Sequence, residues 1–222
     1  MTTVQDTHFA EFTRIAQPYS GWTGAIPARW ALALPDYASG SLPADRLTRQ
    51  ELRTFCSDAV NSAESCFVAC MAWGGMNRSH GRDAWSERSK WVPIIERMRA
   101  GELCRVEAYG RFHDAAVTGL GPAYYTKLIF FTRPEPDGFI LDQWTGKSVS
   151  LLFTAPIVTI TAAGWVTRVN DALVYQRYCE AVEHLAAKLG VTGDVAEEMM
   201  FSRGGKVKHA WRQYVRTNWA AC

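Results

Sequence analysis

The sequence lacks the tracts that export or membrane insertion would require. Its opening, MTTVQDTHFAEF, has neither a basic stretch nor an apolar core, so no secretory signal is read there and a cytoplasmic protein is expected. The twenty uncharged residues 148–167 include Pro156, Gly164, two Ser and four Thr. A spanning helix does not carry that polarity, so the stretch reads as buried core and no membrane association is expected. Charge of one sign is not in excess either: 24 Lys and Arg face 22 Asp and Glu, which excludes a bulk polycation and leaves any attraction to nucleic acid to local patches.

Cysteine is scarce in the patterns that matter. The six, at 56, 66, 70, 104, 179 and 222, form no Cys-x-x-Cys pair and no Cys/His array, which excludes a tetrahedral zinc site and leaves reduced thiols. Cys66 and Cys70 lie one helical turn apart beside Phe67 and Met71 and read as small core hydrophobes. Repeats, low-complexity tracts and Ser/Gly linkers are missing too, so residues 1–222 read as one unit.

What is present is a chain 48% hydrophobic and 12% aromatic, enough for a sizeable core, with helical periodicity throughout. Thr48-Arg49-Gln50-Glu51 has the form of a capping box. It opens an apolar-periodic run that bends near Asn61 and continues to Trp73, where Gly74-Gly75 stops it. Residues 91–100 read as a helix with Pro93 in its first turn and Gly101 after it, and 103–117 as another, ended by Gly119. A third covers 122–131 and is finished by Arg133-Pro-Glu-Pro-Asp-Gly138, in which Asp137 is a turn residue. Further helices start at Asp142 and Asn170. The β-branched alternation at 157–167 predicts one small β-hairpin in an otherwise all-α chain.

Residues 203–222 hold five Arg or Lys (Arg203, Lys206, Lys208, Arg212, Arg216), with His209 and no acid. Trp211, Tyr214, Val215 and Trp219 recur at helical spacing. Two readings stay open: a docked terminal helix with a solvated basic side, or a patch facing nucleic-acid phosphates.

The informative segment is Gly119-Leu120-Gly121 between two predicted helices. Such a turn permits positive φ and brings backbone N–H groups to an anion at a helix N-terminus, the geometry that holds a phosphate. Asp142 follows Gly121 by twenty-one residues, at the start of the next predicted helix. In this hairpin and the Asp that follows it, the chain resembles the helix-hairpin-helix DNA glycosylases, most closely the 8-oxoguanine branch, and the likeness extends more weakly over about residues 45–202.

The resemblance implies an all-α helix-hairpin-helix glycosylase-like fold whose hairpin and catalytic segment occupy about residues 103–152. It implies Asp142 as the essential carboxylate, Gly119, Gly121, Ala123 and Lys147 as contacts to DNA phosphate, and the turn at Met76, Asn77 and Arg78 as a wedge in the duplex. Trp73, Tyr124 and Trp144, with Trp85 and Trp91 nearby, are the aromatics expected to wall a base pocket, in a chain with nine Trp. Lyases of that family carry their Schiff-base Lys where this chain has Ala123. Lys127, one turn on, is the candidate to assist or replace it. The iron–sulfur cysteines of some relatives are missing, so no metal and no cofactor are expected.

The implied function is excision of a damaged base, oxidised guanine by resemblance, from double-stranded DNA by a monomer. The carboxylate would stabilise the positive sugar as the base departs, after the nucleotide is flipped out of the stack. Two alternatives accompany it: a glycosylase for bulky modified bases of phage DNA, serving antiviral defence, and a non-catalytic helix-hairpin-helix module that binds DNA.

Overall fold

A computed structural model describes residues 3–19, 21–37, 42–202 and 209–219. Its helices, in chain order, begin with α1 (Asp6–Ile15), α2 (Pro27–Ala31), α3 (Arg49–Ser57) and α4 (Ala63–Trp73). There follow α5 (Arg78–Ser86), α6 (Arg88–Arg99), α7 (Arg105–Ala115) and α8 (Pro122–Thr132). The last are α9 (Gln143–Leu152), α10 (Ala172–Leu189), α11 (Gly193–Phe201) and α12 (Ala210–Asn218). The protein is all-α: about 60% of the described residues are helical. The expected hairpin at 157–167 is reduced to one antiparallel bridge, Ile160 with Val166.

Contacts gather the chain into two units, residues 21–138 and residues 1–20 with 139–222. The boundary falls where the breakers at 133–138 end.

In the unit 21–138 the centre is α4, buried along nearly its whole length and packed on α2, α3, α6 and α8. Its mixture of Ala, Cys, Phe, Val and Met has no polar face because it needs none. The capping box forms as expected, Thr48 with Glu51. The run from 49 to 73 is broken where a bend was expected: Asp58 takes the Val60 N–H at 3.0 Å, Asn61 donates to the Phe55 carbonyl at 2.8 Å, and Ser62 caps a new helix. Short polar side chains here outcompete the helix for backbone partners. Helix α6 starts at Arg88, so Pro93 lies inside it and not in its first turn. Burial of Trp91, Ile94, Ile95 and Met98 on one side offsets the backbone bond that the proline removes. Cys56, Cys66 and Cys70 are fully buried, with the sulfurs of Cys56 and Cys70 3.7 Å apart. Burial pushes the thiols of Cys56 and Cys70 up, the signature of inert core cysteines.

In the other unit, α9 is held by α1, α11 and α12, and α10 lies along α11. The terminal helix is docked: Trp211 and Val215 are buried, and Trp211 Nε1 donates to Ser148 Oγ at 3.0 Å, which in turn donates to the Met200 carbonyl. Arg216 is exposed. Arg203, Lys206 and Lys208 of the basic stretch, and Cys222, lie outside the described residues.

Candidate active site and candidate DNA-binding hairpin

The hairpin belongs to the unit 21–138. Helix α7 ends on Ala116 in the left-handed region, Val117 and Leu120 are buried, and Gly121 is the extended N-cap of α8. Its two glycines differ in their reasons. Gly119 has φ +77°, and a Cβ there would stand 2.5 Å from the His80 carbonyl oxygen, so the hairpin lies directly on the backbone of α5. A Cβ on Gly121 would meet nothing within 4 Å. The amides of Gly119, Gly121 and Ala123 make no hydrogen bond among the described residues. They cluster at the N-terminus of a helix, where partial positive charge accumulates.

Glu87, between α5 and α6, ties the hairpin down by accepting from the Thr118 N–H at 3.2 Å while it pairs with Lys90. The Lys90 ammonium and the Thr118 amide hold its carboxyl at about 2, below the ordinary 4.5. A carboxylate lowered in this way is fully engaged above pH 4.5 and lets go as pH falls toward about 2. The Thr118 amide resonance in NMR is therefore expected to hold steady above that window and to move within it. A resonance that stays put through the acid range would remove the tie.

Lys127 is buried on α8. Its stem lies over Gly74, where a Cβ would come 2.8 Å from the Lys127 Cδ. That explains a glycine at a helix end whose φ, −72°, any residue could adopt. The side chain tilts toward the helix N-terminus, and Nζ donates to the Ala123 carbonyl at 2.5 Å, 5.6 Å from the Tyr124 ring centroid. The ammonium therefore sits at the level of residue 123.

Trp73 is 6% exposed and edge-on to Phe131, so it offers no open face, although its Nε1 has no hydrogen-bond partner among the described residues. Trp85 and Trp91 are core: their indole N–H groups donate to the carbonyls of Pro35 and Ala84. Met76 is buried, and its carbonyl accepts from Trp30 Nε1. Of the three residues expected in the wedge, only Asn77 and Arg78 are exposed, and Asn77 already caps α5.

Asp142 belongs to the other unit. The extended segment before it is fixed by Tyr175 and Tyr178, whose hydroxyls donate to the carbonyls of Phe139 at 3.0 Å and Ile140 at 2.6 Å. Asp142 then caps α9. Its Oδ1 accepts the N–H groups of Trp144 at 2.7 Å and Thr145 at 3.1 Å, while Thr145 Oγ1 accepts the Asp142 N–H in return. Oδ2 makes no hydrogen bond among the described residues. The carboxylate is thus nearly buried, 8% exposed, with one oxygen locked by backbone amides.

Beside it lies a group the sequence gave little sign of. Lys147 Nζ is 5.0 Å from the centroid of Trp144 and 4.5 Å from that of Trp219. Arg212 stacks its guanidinium on Trp144 at 4.3 Å and on Phe201 at 4.7 Å. Gly164 reaches Lys147 from the 157–167 segment, and Trp219 and Arg212 join Asp142 and Lys147 only because α12 docks on α9. Apart from the helical spacing of the aromatics, nothing in the sequence announced that docking. No group of three or more metal-binding side chains occurs among the described residues, and no helix there is long and apolar enough to cross a membrane.

No curated protein and no solved structure matches the chain. The family described as "Putative 8-oxoguanine DNA glycosylase OGG-like protein" matches residues 16–201. That span takes in the hairpin, Asp142 and Lys147, and by it the chain belongs to the OGG-like family of DNA glycosylases.

Proposed function

We propose that the protein is a DNA N-glycosylase that releases an oxidised purine, with oxidised guanine as the family's implied base, and that Asp142 is its catalytic carboxylate. One observation carries the reading: a nearly buried Asp whose Oδ1 is fixed by two backbone amides and whose Oδ2 accepts from no donor among the described residues. As the bond from sugar to base breaks, positive charge grows on the sugar. A preorganised carboxylate stabilises that charge without having to reorient. The same oxygen can accept a proton from the attacking water.

The hairpin supports DNA as the substrate. Three free amides at the start of α8 suit a phosphate oxygen and read no sequence, so they would anchor the duplex and leave base choice to the pocket. Lys147 is a cation near Asp142 that could meet a second phosphate. In the 76–78 turn Arg78 is the exposed side chain that would enter the stack, because Asn77 is used as the cap of α5. Lys127 takes an electrostatic role and not a bond-forming one, because its ammonium is committed to the Ala123 carbonyl.

The test is direct. Duplexes with one 8-oxoguanine, with a bulky modified pyrimidine, or with neither are incubated with the protein and heated in alkali, and strand breaks at abasic sites are counted. Breaks at the oxidised guanine alone are expected. Breaks at the modified pyrimidine alone would transfer the reaction to foreign DNA, and tight binding with no released base on any duplex would leave a binding module.

A further inference from the structure

Helices α6 and α7 pack on each other and leave a groove between them, a cavity of about 440 Å³. Lys90 and Arg97 stand on its α6 side, Arg111 and Asp114 on its α7 side, and its floor includes Ile94 and Leu103, both buried. Three cations therefore face one acid across an apolar floor. The volume lies in the range of ligand sites, and no residue of the groove belongs to the hairpin glycines or to the Asp142 site.

The three cations differ in how far they are already spent. Arg111 is exposed and makes no hydrogen bond and no ion pair among the described residues. Arg97 pairs with Glu102 at 3.0 Å, with both side chains well exposed, a contact worth little in water and readily exchanged for a phosphate oxygen. Lys90 pairs with Glu87, which uses one of three ammonium donors. A guanidinium presents paired N–H groups that match two oxygens of a phosphate, so Arg111 and Arg97 are the stronger anion ligands. Asp114, exposed beside His113, opposes them.

The shape of the groove favours one kind of anion. Lys90 and Arg97 lie seven residues apart on one helix, about 10 Å along its axis, beyond the reach of one phosphate group. A nucleic-acid strand advances about 3.4 Å along the duplex axis per phosphate, so about three successive phosphates span that length. The groove also begins at the hairpin. Ala115, which lines it, precedes the left-handed Ala116 that opens the turn, and Glu87 joins Lys90 to the Thr118 amide. A strand with one phosphate on the amides of Gly119, Gly121 and Ala123 would run on beside Lys90 and Arg111.

We propose that the α6–α7 groove is a second DNA contact, which holds backbone phosphates beyond the hairpin through Arg111, Arg97 and Lys90. The inference rests on the reading of the hairpin as a DNA anchor. Contacts of this kind touch no base, so they add affinity to every duplex alike and lengthen the tract of DNA that is covered. The choice of base stays with the site at Asp142.

The experiment measures the affinity of the full chain for an unmodified duplex over a series of salt concentrations, so the excised base need not be known. Each phosphate neutralised contributes about 0.9 to the slope of log affinity against log salt, so Arg97→Gln combined with Arg111→Gln should lower the slope by about 2 and weaken binding roughly tenfold or more in dilute salt. Asp114→Asn should act the other way and tighten binding. Arg14→Gln combined with Arg177→Gln removes the same charge from exposed residues of the other unit and should leave the slope at the wild-type value. All these side chains reach solvent, and circular-dichroism melts should match wild type. A wild-type slope in the groove variant, an equal loss in the control pair, or an Asp114→Asn protein that binds no better overturns the proposal. Inorganic tripolyphosphate probes the other source of phosphate. Calorimetric binding that the groove variant abolishes, with the duplex slope unchanged, would make the groove a site for a small polyphosphate and overturn the DNA contact. The two readings fail separately: a protein that binds no duplex sinks the hairpin reading and the groove together, whereas duplex binding that Gly121→Val weakens and the groove variant leaves intact sinks the groove alone.

Discussion

Asp142→Asn is expected to slow base release by about 10²-fold or more, the usual cost of removing a preorganised electrostatic group from a site, while duplex binding and the melting temperature stay at wild-type values. The substitution isolates charge from structure. Asn keeps an Oδ1 that can accept the Trp144 and Thr145 amides, and Asn caps helices about as well as Asp. What it changes is Oδ2, which becomes an amide NH₂ in the space the developing sugar cation needs. Asp142→Ala should also lose the cap, at about 1 kcal/mol, which lowers the melting temperature by about 2–4 °C in a chain of this size. Single-turnover base release and thermal melting of both variants decide the matter. If Asn releases base at the wild-type rate and Ala is merely less stable, Asp142 is an N-cap and nothing more.

Which helices were legible depended on how locally each was specified. Thr48 and Glu51 announce a helix start because both partners of the capping box lie within four residues. The break at 58–62 read only as a bend because Ala59 and Val60 continue the apolar period. Yet Val60 is 90% exposed, and the segment's hydrogen bonds go to Asp58 and Asn61 side chains. Helix α5 was missed altogether. Its sequence, RSHGRDAWS, is polar with a glycine inside. That glycine is required by a distant neighbour, since a Cβ on Gly81 would stand 2.7 Å from the Trp30 ring. The β-branched residues at 157–167 suggested a ladder, but Val158 and Val166 instead pack on Gly146 of α9, a tertiary demand that overrides strand propensity.

The candidate site divides in the same way. Asp142 and the hairpin glycines could be found because chemistry and turn geometry restrict residue type at fixed spacing. The far members are Arg212 and Trp219, 70 and 77 positions from Asp142 in sequence, and only the docking of α12, keyed by Trp211 on Ser148, brings them to α9. Composition drew attention to tryptophan and not to which tryptophans: Trp73, Trp85 and Trp91 are spent on the core, whereas Trp144 and Trp219 flank Lys147.

The hairpin provides the second large effect, because its two glycines should fail in opposite ways. Gly119→Val places a β-branched residue at φ +77°, with its Cβ driven to 2.5 Å from the His80 carbonyl. Left-handed strain and a forced backbone shift together should cost roughly 3 kcal/mol or more, lowering the melting temperature by about 10 °C. Gly121→Val meets open space in an extended backbone, φ −87° and ψ 179°, just before Pro122, where valine fits without strain. Its stability should stay within about 0.5 kcal/mol of wild type. Its branched side chain would stand over the free amides of Gly121 and Ala123, however, and keep a phosphate oxygen from reaching them. The loss of one or two charge-assisted hydrogen bonds amounts to about tenfold in affinity, equal for every duplex because phosphate contacts carry no sequence. Thermal melting and duplex titration of the two variants separate the roles. A Gly121→Val protein that binds DNA like wild type would make the whole hairpin a packing turn and leave duplex affinity to the cations around Asp142.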